Sequence, residues 1–282
     1  MDAAVTTSQN SPAGWSRGRL VGILAAAGGV AAVLLCALAY GIYLAISGVH
    51  TVTTTKASSP GTGESSLPEA GPQRRDAIAA ALMLEVSPTA ARPTEQTSSD
   101  GSTIKVPAGT AVPGPALVMT GYPRTPQGAI GQLAQIDAAV LHAMSVAAAR
   151  EVHAAWALPG GAPVDSWWIT TSVRAFLDGA GMGQVKDSAV WVRVEPAAAL
   201  VKGVDGPDWT TVCVLMKVTA TYRSEGQTAL GHCERMQWVG GRWMIAPGAP
   251  PAPAPSTWPQ TPLAVEAGWA TWVTTEPEAA GQ

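Results

Sequence analysis

Phenylalanine occurs once in 282 residues, cysteine three times and histidine four times, and charged side chains make up only 13% of the chain. Each scarcity narrows the function. A formal net charge of -3 supplies no basic field for a phosphate backbone, which disfavours nucleic-acid binding, and no strong acidic field for a basic partner. No HExxH, GxSxG, phosphate-binding loop or CxxC occurs, so the familiar catalytic and metal-binding spacings are missing. Glycine and proline are plentiful instead, at 30 and 23 residues, and a chain of this composition does not use its whole length for a core.

One stretch has no charge at all. From Leu20 to Ile46, "LVGILAAAGGVAAVLLCALAYGIYLAI", 27 positions run uninterrupted, and as a helix they more than span a hydrocarbon layer of roughly 30 Å. Arg17 and Arg19 precede this run and the first base after it is Lys56, a bias that sets the N-terminus in the cytoplasm and the rest outside. A cleaved signal peptide is the competing interpretation, because Ala37-Leu38-Ala39 fits the small-x-small pattern, but the apolar run is too long for a signal core. The expected organisation is a cytoplasmic tail at 1–19, a transmembrane helix at 20–46 and a disordered Ser/Thr/Pro/Gly-rich tether at 47–119 containing a short helix within 72–86. An extracytoplasmic domain at 120–247 and a Pro-rich arm at 248–282 with a short amphipathic end complete the chain.

The domain at 120–247 changes period half-way. Thr125 before Pro126 is a helix start, followed by one stripe of Ile130, Leu133, Ile136, Val140, Leu141 and Met144. "VAAAREVHAAWAL" makes a second helix, and Asp165 is positioned to cap a third that carries Trp168, Val173, Phe176 and Leu177 and ends at "DGAGMG". Alternation at period two follows. Val190, Val192 and Val194 share one face, as do Val212, Val214, Met216 and Val218, and two more strands close on the Gly240-Gly241 turn. The expected fold class is α+β: three helices packed on a curved four-stranded antiparallel sheet.

The stretch "GHCERMQW", residues 231–238, looks like catalytic machinery, yet strand alternation divides it. Trp238 faces Trp243 and Met236 faces Ile245 across the hairpin, so His232 and Glu234 turn inward while Cys233 and Arg235 turn to the other face. A His232–Cys233 dyad is thereby excluded. Pairing Tyr222 with Thr228 further sets Cys213 and Cys233 about four residues apart, roughly 13 Å along the strands, against a Cα limit near 7 Å for a disulfide. No bridge is expected. His232 with Glu234 is the one candidate proton-transfer pair, and its bland alternative is a buried hydrogen-bonded pair near the sheet edge, because the sequence places no third polar group beside it. A metal site would need a third ligand from His142 or His153, on helices of unknown relation to the pair. "GAGMG" sits after a helix rather than before one, which makes it a helix stop and not a phosphate loop. Trp258, Trp269 and Trp272 of the arm either cover the sheet face bearing Trp191, Leu215 and Met244 or serve a partner.

An N-in single-span anchor, a long tether and helices leading into a curved sheet together resemble the bitopic scaffold proteins of conjugation and type IV secretion machines, including TcpC-like conjugal transfer proteins of Gram-positive bacteria. The segments "GYPRTPQGAIGQLAQ" and "HCERMQWVGGRWMIAPG" carry the resemblance. It implies a nuclear-transport-factor-2-like, cystatin-like roll that is non-catalytic, with no cofactor, metal or catalytic residues to assign. It also implies other membrane proteins of a transfer complex as partners, self-association, and a single-pass place in the cell membrane without direct contact to nucleic acid. Two alternatives from other classes stand beside it: an anchored lipid- or small-molecule-handling accessory protein, and a small hydrolase or isomerase using His232 and Glu234. A cavity lined by Trp168, Met216 and Trp238 would favour the former, and a pocket displaying both His232 and Glu234 the latter.

Overall fold

Three helices open the domain for the reasons their sequences state. The computed structural model describes residues 68–97, 100–110, 112–222 and 224–276, all within one unit spanning Ser65–Gln282. Helix α1 (Pro72–Ala80) is followed by the short strands β1 (Thr103–Pro107), β2 (Val112–Pro113) and β3 (Met119–Thr120). Helix α2 (Pro126–Ala143) starts as its sequence predicts, with the Thr125 hydroxyl accepting from the Gly128 N–H. Ser145 caps α3 (Val146–Trp156) in the same way. Helix α4 (Trp168–Gly179) has no side-chain cap: its N-cap position is Trp167, and Asp165, two residues earlier, is engaged by Arg174 and Arg150. It ends in a left-handed Gly181, φ 65°, with Met182 N–H returning to the Leu177 carbonyl at 2.8 Å, the helix stop expected of "GAGMG".

The strands β4 (Trp191–Val204), β5 (Trp209–Tyr222), β6 (Ser224–Val239) and β7 (Arg242–Ile245) form the expected meander, but the sheet has six strands. The short helix α5 (Pro262–Glu266) leads into β8 (Ala270–Thr275), which pairs antiparallel with β4 and parallel with β1, giving the order β1-β8-β4-β5-β6-β7. The sheet curls into a half-barrel. Two irregularities in the β4–β5 ladder, between Pro196 and Ala198 and between Val201 and Gly203, are the bulges that bend such a sheet. The expected tether therefore contributes order: α1 stops at Ala80 rather than continuing to 86, and β1 joins the sheet edge. The span expected at 20–46 and the tail at 1–19 lie outside the described residues. Among the described residues no helix is long and apolar enough to cross a membrane.

Both sheet faces are covered. On one side Ile130, Leu133, Ile136, Val140 and Leu141 of α2 pack with Val212, Val214 and Met216 in the main core. On the other, Cys213, Leu215, Ala229 and Cys233 pack against Ala264, Ala267 and Trp269, with Trp258 at the border. The arm thus folds back over Leu215, whereas Trp272 packs with the main core and Trp191 stays exposed. Doubly covered strands read as continuous apolar runs, and "VCVLM" at 212–216 is one.

The register of β5 against β6 corrects the disulfide expectation. Tyr222 pairs with Ser224, not Thr228, and the shift brings Cys213 directly opposite Cys233 with a Cα separation of 4.0 Å, where they form a disulfide. Ser224-Glu225-Gly226 has the composition of a turn, yet these residues belong to β6.

Candidate functional site

Strand alternation places His232 and Glu234 of β6 on the helix-facing side, as the sequence implies, and α2 supplies the third polar group that the sequence did not announce. Asp137 lies on the apolar stripe of α2, one turn from Leu133 and from Val140, and is fully buried. His232 Nδ1 lies 2.9 and 3.0 Å from the two Asp137 carboxyl oxygens, and Nε2 lies 3.1 Å from Glu234 Oε1. Trp167, just before α4, donates its indole N–H to the same Glu234 oxygen at 2.9 Å. Trp168 stacks on the imidazole, with ring centroids 4.9 Å apart and planes 13° from parallel. Three elements of the fold, α2, β6 and α4 with its N-cap, thus meet on one imidazole ring.

Charge follows from this geometry. Burial alone would discharge His232, but the charge and hydrogen bond of Asp137, seconded by Glu234, outweigh it, and the pKa is pushed up to about 10. Burial likewise drives the Asp137 carboxyl above the usual carboxylate range, an effect that His232 partly offsets. Both ring nitrogens face carboxyl oxygens, so the protonated ring donates from both, to Asp137 and to Glu234. Such a ring is a poor general base near neutral pH, because its lone pairs are both protonated.

His142 and His153 do not join the cluster. The His142 ring nitrogen sits 3.1 Å from the Val192 carbonyl and that of His153 3.1 Å from the Ala162 carbonyl. Cys233 is separated from His232 by strand alternation and spent on its disulfide, as the exclusion of a dyad required. Among the described residues no group of three or more His, Cys, Asp or Glu has an arrangement suited to a metal ion.

A pocket of about 220 Å³ opens beside the cluster, lined by Trp167, Trp168, Thr171, His232, Glu234 and the Pro250–Pro253 segment. β7 pairs only with Met236–Val239, and beyond it the arm runs along β6, with the Ala246 N–H donating to the Arg235 carbonyl at 2.8 Å. Arg235 on the opposite face reaches Asp76 at 2.7 Å and the Ala249 carbonyl at 2.7 Å, pinning the arm at one end, while Ser256 accepts from the Gly231 N–H at 3.0 Å at the other. Of the three residues expected to line a ligand cavity, only Trp168 does so. Met216 is buried in the main core and Trp238 packs against Trp243.

Compared with known proteins, the chain matches no family model, no curated protein and no solved structure at a significant level.

Proposed function

We propose that this chain is a non-catalytic, membrane-anchored scaffold or recruiting component of a conjugation-type transfer complex, with a nuclear-transport-factor-2-like roll as its extracytoplasmic interaction module. The observation that carries the non-catalytic part is the closure of the polar cluster: His232 is 3% exposed with both nitrogens engaged, so its chemistry goes into tying α2 and the start of α4 to the sheet. The Cys213–Cys233 disulfide supports an oxidising, exterior compartment for the domain. The charge bias around residues 20–46 supports the anchor, and the resemblance in topology supports the transfer complex.

A second reading is favoured by the pocket, which borders both His232 and Glu234 and would suit a small hydrolase or isomerase. The engaged, protonated state of the ring weighs against it. Replacing His232 by Ala separates the two, since a scaffold loses stability alone and a hydrolase loses turnover in protein that still folds. The direct test of the scaffold is crosslinking in the native membrane followed by mass spectrometry of what is attached. Recovery of a transfer ATPase, a channel subunit or a peptidoglycan hydrolase of the same genetic element is the expected result. Recovery of lipid-transport subunits, or of no protein, overturns it in favour of an anchored small-molecule-handling protein.

A further inference from the structure

The polar cluster holds more carboxyl groups than cations. Two carboxyl groups, Asp137 and Glu234, share a single imidazole, and when all three are ionised the sum is one negative charge in a site almost closed to water. Among the described residues no second cation contacts either carboxylate. Arg235, the nearest base along β6, points to the opposite face and is satisfied by Asp76 and the Ala249 carbonyl. His153, across the pocket, faces the Ala162 carbonyl.

Glu234 shows where the missing charge belongs. Both of its hydrogen bonds end on Oε1, from Trp167 and from His232; Oε2 takes none from the described residues and is not among the sealed, unpartnered polar atoms, in a side chain that is nine-tenths buried and borders the pocket. The other walls include the indoles of Trp167 and Trp168 and the prolines of the arm, surfaces that accept an alkyl chain, and an indole face also attracts a cation; His153 and Arg235 border the same space, Arg235 with its guanidinium held by Asp76 and the Ala249 carbonyl. The walls are preorganised. Gly248 N–H bonds to the Gly160 carbonyl at 3.0 Å, Ala252 N–H to Ala79 at 2.9 Å and Gly231 N–H to Ser256 at 3.0 Å, so the arm is held on both sides of the opening. At about 220 Å³ the space is smaller than the roughly 300–1,000 Å³ that drug-sized ligands occupy.

We infer that this pocket binds a primary alkylammonium group, whose N–H donors meet Glu234 Oε2 and whose carbon chain lies against Trp167, Trp168 and the Pro250–Pro253 wall. The group is that of a free amine or of a lysine side chain. The inference does not rest on the scaffold reading, because it concerns the charge and shape of one pocket and not the complex around it.

Calorimetric titration of the full-length protein tests it, using n-butylammonium, the neutral n-butanol of similar shape, and N-acetyl-lysine methylamide. The expected result is saturable binding of both ammonium compounds, with n-butanol weaker by at least about tenfold, the discrimination a charge-assisted hydrogen bond supplies. Tighter binding of the lysine amide than of n-butylammonium identifies a protein side chain as the source, and the reverse order a free amine. Glu234→Gln keeps an acceptor for Trp167 and should weaken ammonium binding by about tenfold or more. Thr171→Lys, at the exposed rim, places an ammonium in the pocket from within and should block binding without touching the buried cluster. Equal binding of the neutral and charged compounds, or no binding of either by about 10 mM, overturns the inference, and the comparison within the unsubstituted protein holds even if Glu234→Gln does not fold.

Discussion

At the scale of single residues, the buried cluster sets the pH response of the domain. His232 has a folded-state pKa of about 10 against an ordinary 6.5, so its contribution to stability is complete below about pH 6.5 and is lost as pH rises towards 10. Asp137, raised by burial, adds to the same trend at lower pH, since its proton is also held more tightly in the folded state. Chemical denaturation should therefore show stability falling by an amount on the order of a few kcal/mol between pH 6.5 and 10, and His232→Asn should flatten that slope; a slope unchanged in the variant would refute the assignment. Asp137→Ala leaves an imidazolium buried with half its partners and should cost roughly 3–5 kcal/mol in urea unfolding at neutral pH. Half of this site was legible in advance. Alternation gave the inward direction of His232 and Glu234, but Asp137 was passed over because a helix stripe was read for its apolar members. The signal existed, since Asp137 is the one acidic residue of α2 and sits in the middle of that stripe. Trp167 carried no such mark, because its role depends on how the loop before α4 meets β6.

At the scale of elements, the arm and the β5–β6 ladder decide the second face of the sheet. Trp269 is 3% exposed and its indole N–H donates to the Pro255 carbonyl at 3.0 Å, so Trp269→Ala should cost about 3–5 kcal/mol, measured as a fall in the denaturation midpoint. Gly231 leaves room for the arm to approach: a Cβ there would lie 2.8 Å from the Pro255 carbonyl oxygen and 3.1 Å from Ala254 Cβ. Gly231→Ala should consequently loosen the arm, seen as faster proteolysis after residue 247 with the helices still protected; unchanged cleavage would contradict the packing. Replacing both Cys213 and Cys233 by Ala should remove about 2–4 kcal/mol relative to the oxidised protein. The helices and the four-strand meander were legible because their periods of 3.6 and 2 are local. The turn between β5 and β6 was not, because Ser224-Glu225-Gly226 has turn composition while pairing with Tyr222, Thr221 and Ala220, two to six residues away, holds it in a strand. β1 and β8 are illegible for a different reason: each is short and gains its identity only from a partner far away in the chain.

At the scale of the whole molecule, composition cannot tell a tether from a segment that lends one strand to a sheet, and β1 lies in the stretch whose Ser, Thr, Pro and Gly content reads as a tether. That strand has a consequence for biosynthesis. β1 is the first strand of the sheet in the chain and its ladder partner β8 is the last, so Thr103 waits for Thr271 before its edge is satisfied. A chain synthesised from its N-terminus presents β1 while α2 to α4, the meander and the arm are still to follow. The seam between β1 and β8 closes only after everything from Pro107 to Ala270 has been made, so that arrival of β8, rather than of the core, is the step that finishes the sheet.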